Sequence, residues 1–110
     1  MFVTSQGADK SVARFRRAIK TQNMLIIRAA AAELPHIALT DALEICLVLR
    51  TAEPARLEAA AIRWIARFCA ERTEAQIDDV GEAALAFEVL RADPEAGQRR
   101  LQILLERVRR

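Results

Sequence analysis

The sequence predicts an all-α protein, a compact array of about six antiparallel helices that pack as stacked helical hairpins. Apolar residues make up 53% of the 110 residues, which is enough for a core in one domain, while aromatic residues make up only 5%. Alanine, leucine, arginine and glutamate are abundant, and these residues have favourable intrinsic helix propensities. Apolar residues recur at steps of three and four, and no stretch alternates as a strand would.

The first helix is expected to follow a flexible tail. Residues 1–8 show no periodicity, so we expect a loose segment there and a single domain at 9–110. Asp9 is suited to cap the helix because its carboxylate can accept hydrogen bonds from free backbone N–H groups. The narrow apolar stripe that follows consists of Val12, Phe15 and Ile19.

Polar residues at 21–23 separate this helix from an apolar segment at 24–34. The apolar stripe could continue through them as one long helix. However, threonine and asparagine favour caps and turns because their side chains compete for backbone groups. We therefore expect a tight turn and a second helix over about 23–33. That helix should end before Pro35, since the residue preceding a proline resists the α conformation.

The middle of the chain predicts two further helices. Thr40 is a plausible cap for a third helix over 41–50, which has almost no polar face and is therefore expected to be buried. Pro54 suits the first turn of a fourth helix that runs to about Arg72. The inner face of the fourth helix is expected to contain Leu57, Ala61, Trp64, Ile65 and Phe68.

Two capping patterns predict the last two helices. Thr73 and Gln76 have the spacing of a capping box at the start of a fifth helix. Asp93 followed by Pro94 indicates the start of a sixth helix over about 94–109. The expected inner face of the fifth helix is Ile77, Val80, Ala84, Phe87 and Leu90, and that of the sixth is Leu101, Leu104, Leu105 and Val108.

Charge is unevenly distributed although the net charge is only +2. Residues 10–20 contain five basic side chains and no acid, residues 99–110 are also basic, and the middle of the chain is acidic. Such asymmetry is compatible with nucleic-acid contact or with docking onto an acidic protein surface. The predicted basic partner-binding residues are Lys10, Arg14, Arg16, Arg17 and Lys20.

Several classes of site lack their usual residues. Cys46 and Cys69 are isolated in apolar helical segments, so we expect buried, reduced thiols of a cytoplasmic protein. His36 lies in a turn without a second histidine or a nucleophile pattern, so no catalytic residue is predicted. The carboxylates Glu74, Asp78, Asp79 and Glu82 form a stripe, and acids in a first helical turn are favoured by the helix dipole. We therefore expect a solvated face or a docking surface for arginine there, and not a metal site. We expect no enzyme activity, cofactor, metal, small-molecule ligand or membrane span.

The segment from Ala18 to Pro35, with a joint at Gln22-Asn23 and an alanine-rich second helix, resembles one tetratricopeptide-type helical hairpin. It differs in its shorter second helix, in Gln22 at the turn glycine position, and in the lack of a 34-residue period. The motifs around Leu34-Pro35 and 62–68 are similar to those of short uncharacterised helical proteins of actinobacteria. These resemblances imply an array of α-hairpins and, for the first, protein binding.

The apolar second and third helices lead to a functional expectation. Six helices in a chain of this length can enclose one wholly apolar helix, whereas enclosing two is demanding. We therefore expect a non-catalytic protein–protein interaction module that self-associates or binds another protein. Its apolar contact residues are predicted as Met24, Ile26 and Ile27. The alternative is a nucleic-acid-binding accessory protein that uses the basic first helix.

Overall fold

The computed structural model describes residues 2–110, with side chains from Lys10 onward. This part of the chain is all-α, as predicted, and it folds into two compact units, Met1–Glu53 and Pro54–Arg110. No change in composition signals this division in the sequence. The helices are α1 (Phe2–Lys20), α2 (Met24–Ala31), α3 (Leu39–Ala52), α4 (Leu57–Glu71), α5 (Ile77–Ala92) and α6 (Pro94–Arg107), and a single 3-10 turn precedes α4 at Pro54–Arg56.

The first helix begins earlier than the sequence indicates. Its backbone is already helical at Phe2, so Asp9 lies inside α1 and does not cap it. The predicted flexible tail at 1–8 falls on Met1, which lies outside the described residues, and on residues whose side chains are not described. Its flexibility stays a prediction.

The joint between α1 and α2 is a tight turn, which confirms the prediction of two helices. Gln22 adopts φ 58°, a left-handed conformation that reverses the chain. Asn23 caps α2, since its Oδ1 accepts hydrogen bonds from the N–H groups of Leu25 at 2.9 Å and Ile26 at 3.4 Å.

The core of the first unit contains Phe15, Ile27 and Leu43, one from each of its helices, and all three are at most 1% exposed. Two ion pairs link these helices at the surface of the unit. The guanidinium of Arg28 donates two hydrogen bonds, of 2.7 and 3.0 Å, to the carboxylate of Glu53. Arg16 of α1 lies 3.6 Å from Asp41 of α3.

The third helix is enclosed as expected, because every residue from Asp41 to Arg50 is buried or half-buried. Its predicted cap is wrong. The N-cap position is Ala38, which has no side-chain acceptor, and Thr40 lies within the first turn. The helix therefore starts at Leu39, one residue before the predicted cap Thr40.

The second unit is organised around three aromatic rings. Trp64 stacks on Phe68 with ring centroids 5.7 Å apart and packs edge-on against Phe87 at 5.5 Å. Trp64 is 2% exposed, so it is a core residue. Arg72 closes the unit at the other end of α4, where its guanidinium donates hydrogen bonds to the carbonyls of Leu105 and Val108 at the end of α6.

Helices α5 and α6 form an antiparallel hairpin with an unusually close approach. Asp93 ends α5 and caps α6, where its Oδ1 accepts a hydrogen bond from the N–H of Ala96 at 3.1 Å, as the sequence predicts. Gly97 lies against Leu90, and a Cβ at Gly97 would lie 2.5 Å from the Leu90 Cα and 2.6 Å from its nitrogen. A glycine is therefore required at this contact.

For α5 the predicted cap is wrong, and the predicted inner face is right only at Phe87 and Leu90. The helix starts at Ile77, and it is the N–H of Gln76 that donates to the Asp79 carboxylate, at 2.9 Å, so the cap lies three residues after the predicted one. The inner face is also shifted, since Ile77 is 89% exposed and Ala84 is exposed. Alanines on several sides of α5 give little contrast between faces, which explains the error. The buried residues are Ala83, Ala86, Phe87 and Leu90.

Candidate interaction site

A surface groove lies between α1 and α2 in the first unit. Its volume is about 330 Å³, and the lining is mostly apolar. Helix α1 supplies one wall and α2 the other, so the tight turn at Gln22 brings the two walls together. The residues that line this α1–α2 groove are Arg14, Arg17, Ala18, Thr21, Ile26, Ala29, Ala30 and Glu33.

The predicted apolar contact residues separate into two groups. Met24 and Ile27 are 7% and 0% exposed and belong to the core of the first unit, so they offer no surface to a partner. Ile26 is 46% exposed and lines the groove. Leu25, which the sequence analysis missed, is 78% exposed. The apolar surface is therefore corrected from Met24, Ile26 and Ile27 to Leu25 and Ile26.

All five predicted basic residues of α1 are exposed, but they face different surroundings. Arg14 forms an ion pair with Glu33, and both residues line the groove. Arg16 is paired with Asp41 outside it. Among the described side chains, Lys10, Arg17 and Lys20 have no acidic partner.

Three of these cations share one side of α1. Lys10, Arg14 and Arg17 are spaced at i, i+4 and i+7, so they lie above one another on one helix face. Arg14 and Arg17 line the groove, which places Lys10 one turn further along the same face. The α1–α2 groove thus has an apolar floor and, on its α1 side, a cationic border in which Arg14 is paired with Glu33 and Arg17 has no acidic partner among the described side chains.

A second apolar surface occurs in the second unit, and the sequence analysis did not predict it. Leu85 of α5 and Ile103 of α6 are 56% and 53% exposed. Together with Glu82 and Arg100 they line a shallow groove of about 250 Å³, here called the α5–α6 face. The sequence signal for it was weak, because α5 is apolar on several sides.

Two of the four carboxylates of the predicted acidic stripe, Asp79 and Glu82, form contacts within the second unit. Arg107 donates hydrogen bonds of 3.0 Å to Asp79 and 2.7 Å to Glu82. The pKa of Asp79 is lowered, first by the hydrogen bond from the Gln76 N–H and then by that from Arg107. The hydrogen bonds to Glu82 and Asp79 raise the pKa of Arg107.

The described residues contain no group of three histidine, cysteine or acidic side chains placed to hold a metal ion. His36 is exposed in the loop between α2 and α3. Cys46 is buried as expected, whereas Cys69 is exposed, which corrects that part of the prediction. No helix in the described part of the chain has both the length and the apolar character needed to cross a bilayer.

Comparison of the chain with protein-family models, curated proteins and solved structures finds no match.

Proposed function

We propose that this chain is a non-catalytic protein-interaction module that binds an acidic amphipathic helix of a partner protein in the α1–α2 groove, and that it also self-associates. The observation that carries the first part is the exposure of Leu25 and Ile26 beside a groove with a cationic border. Amphipathic helices commonly bind such grooves through apolar anchors.

The apolar part of the groove explains why a helix is the preferred partner. Ile26 and Ala29 are exposed one turn apart on α2, so they present a narrow apolar strip parallel to that helix. Ala18 and Ala30 are 5% and 7% exposed and form the floor of the groove. The three alanines are small, which lets another helix approach closely.

The charged part of the groove favours acidic partners. Arg17 has no acidic partner among the described side chains, and Lys10 lies seven residues earlier on the same face. Seven residues of α-helix span about 10.5 Å. Carboxylates seven residues apart on a partner helix packed alongside α1 would match this spacing. Charge complementarity of this kind increases the association rate and selects against basic partners.

The experiment uses a designed peptide of 18 residues with glutamates at i and i+7 and leucines at i+3 and i+4. Its binding to the full chain is measured by fluorescence anisotropy at physiological salt. We expect the Arg17→Glu and Ile26→Glu variants each to weaken binding at least about tenfold, because one reverses an interfacial charge and the other places a charge in the apolar strip.

Lys20→Glu is the matched control, since it makes the same change of charge on α1 but Lys20 does not line the groove. This variant should retain nearly all of the affinity. A control peptide with lysines in place of the glutamates should bind poorly. Equal loss in Lys20→Glu and Arg17→Glu, or equal binding of both peptides, would contradict the groove proposal.

Nucleic-acid binding is the second candidate function, and the three cations without acidic partners, Lys10, Arg17 and Lys20, favour it. If all three neutralise phosphates of duplex DNA, affinity should fall about 40-fold between 50 and 200 mM salt. An anisotropy titration of a labelled duplex measures this slope. Absence of binding at 50 mM salt would remove this candidate.

A further inference from the structure

The α5–α6 face has features that the groove of the first unit does not share. Leu85 and Ile103 are both more than half exposed, although each belongs to a helix that is otherwise well packed within the second unit. One acidic and one basic residue accompany them, Glu82 on α5 and Arg100 on α6. The face therefore combines an apolar centre with one charge of each sign.

Contacts within the hairpin determine how these four residues are arranged. Arg107 near the end of α6 contacts Glu82 near the start of α5, and Gly97 near the start of α6 contacts Leu90 near the end of α5. The two helices are therefore antiparallel, and Leu85 lies level with the middle of α6.

The two charges consequently lie at opposite ends of the apolar pair. Leu85 follows Glu82 by three residues, and Ile103 follows Arg100 by three residues. Because α5 and α6 run in opposite directions, Glu82 lies one turn to one side of the apolar pair and Arg100 lies one turn to the other side. The charges thus occupy diagonal corners of the face.

A surface with opposite charges at diagonal corners is complementary to itself. In a two-fold symmetric interface, a contact between one residue of the first copy and another residue of the second copy occurs twice, because the symmetry repeats it with the copies exchanged. The two-fold axis of such a dimer lies in the plane of the face, passes through its centre and is perpendicular to the Glu82–Arg100 diagonal. Rotation about this axis brings Glu82 of each copy to Arg100 of the other. Leu85 and Ile103 of both copies are then enclosed between the two ion pairs.

Both charged groups have the capacity for this contact. Glu82 uses its Oε2 for the hydrogen bond from Arg107, which leaves Oε1 as an acceptor. Arg100 is exposed and has no acidic partner among the described side chains. The arrangement therefore needs no ion pair of the second unit to be broken.

We propose that the α5–α6 face is a homodimer interface, in which a second copy of this chain binds through the same residues. The inference deepens the self-association of the proposed function and rests on it, but it is independent of helix binding in the α1–α2 groove. A basic or an acidic heterologous partner would match only one of the two charged corners.

A charge-swap experiment with the full-length chain tests this interface. Sedimentation equilibrium at physiological salt measures the dimer dissociation constant of the wild type and of two variants. In a homodimer, Arg100→Glu would place two carboxylates opposite each other at each corner, and Glu82→Arg would place two guanidinium groups there. Each variant alone should dimerise at least about tenfold more weakly than the wild type.

The mixture of the two variants provides the decisive result. In a heterodimer of Arg100→Glu with Glu82→Arg, each corner again pairs an acid with a base. The reason is that one variant has an acid at both positions and the other has a base at both.

 The equimolar mixture should therefore form a 1:1 complex with an affinity near that of the wild type. Far-UV circular dichroism and the Tm show whether each variant is folded, and the Tm of Glu82→Arg also reports the loss of the ion pair with Arg107.

Additional variants separate the possible outcomes. Ile103→Glu should abolish the dimer, whereas Arg63→Glu, an exposed charge reversal on α4, should leave it unchanged. A dimer that persists in Ile103→Glu and Arg100→Glu would overturn this interface but leave self-association intact. A wild-type chain that remains monomeric at several hundred micromolar would overturn both. If Ile26→Glu lost the dimer while Ile103→Glu and Arg100→Glu kept it, self-association would be assigned to the α1–α2 groove instead.

Discussion

Gly97 makes the closest contact between α5 and α6, because its lack of a side chain lets the two helices meet at Leu90. We expect Gly97→Ala to destabilise the protein by about 2 kcal/mol, since the added methyl group would meet backbone atoms that cannot rotate away. Urea unfolding followed by circular dichroism measures the change.

Gly81 is the matched control, because a Cβ added there meets no atom within 4 Å. Gly81→Ala should stabilise the protein by about 0.5–1 kcal/mol, since alanine is the better helix former. Similar effects of the two substitutions would contradict the close approach of α5 and α6.

Asp79 gives the stability of the protein a specific dependence on pH. Its pKa is lowered in the folded protein by the Gln76 N–H and by Arg107, so the unfolded chain binds the proton more tightly. The stability it contributes is complete above its unfolded pKa of about 3.9 and is lost as the pH falls through the lower folded value.

Asp79→Asn should therefore flatten the decrease in Tm below pH 4. Asp78→Asn, a change of the adjacent exposed carboxylate, should leave the wild-type decrease in place. Thermal unfolding followed by circular dichroism between pH 2 and 6 measures both profiles. Identical profiles for the wild type and Asp79→Asn would show that this carboxylate is not coupled to folding.

At this scale the sequence predicted the exposure of the basic residues better than that of the apolar ones. A charged side chain at an exposed helix position remains accessible, so all five predicted basic residues of α1 are exposed. In α2 nearly every residue is apolar, and the pattern alone does not identify which side packs inward. Helix α2 buries Met24 and Ile27 and leaves Leu25 and Ile26 outside because the Gln22 turn determines its rotation.

At the element scale, prolines predicted the helix boundaries more closely than the candidate capping residues did. Pro35, Pro54 and Pro94 act locally, since a proline restricts its own φ angle and the residue before it, and each lies at or near an end of a helix. Asp93 caps α6 as predicted. Thr40 and Thr73 suggested two other helix starts wrongly. A threonine caps a helix only where its own backbone is extended and the helix begins directly after it, and the residue type does not ensure this.

The cap at the start of α2 positions one wall of the α1–α2 groove. Asn23→Ala removes the acceptor for the N–H groups of Leu25 and Ile26, so we expect a loss of about 1 kcal/mol in the free energy of unfolding. Urea unfolding measures this change. Asn23→Asp, which keeps an acceptor, should lose much less, and a full loss in that variant would show that the side-chain acceptor is not the stabilising feature.

At the scale of the whole molecule, the sequence predicted an all-α chain but not its division into two compact units. No glycine-rich or polar linker marks the boundary at Glu53, and α3 and α4 are separated by only a short 3-10 turn. Contacts between distant residues define the units, and such contacts do not appear in local periodicity.

The two proposed surfaces belong to different units, which makes their functions separable. The α1–α2 groove lies within Met1–Glu53 and the α5–α6 face within Pro54–Arg110. Ile26→Glu should therefore abolish peptide binding without affecting the dimer, and Ile103→Glu should do the reverse. Anisotropy and sedimentation measurements on both variants check this double dissociation, and loss of both activities in either variant would contradict it.

The most direct measurement is a titration of the isotope-labelled full chain with the acidic amphipathic peptide, followed by two-dimensional amide NMR. We predict that shifts concentrate at Ala18, Ile26 and Ala29, and that the amides of α4 to α6 hardly change. Shifts that are absent from these positions, or that concentrate in the second unit, would contradict the assignment of the α1–α2 groove as the site of partner binding.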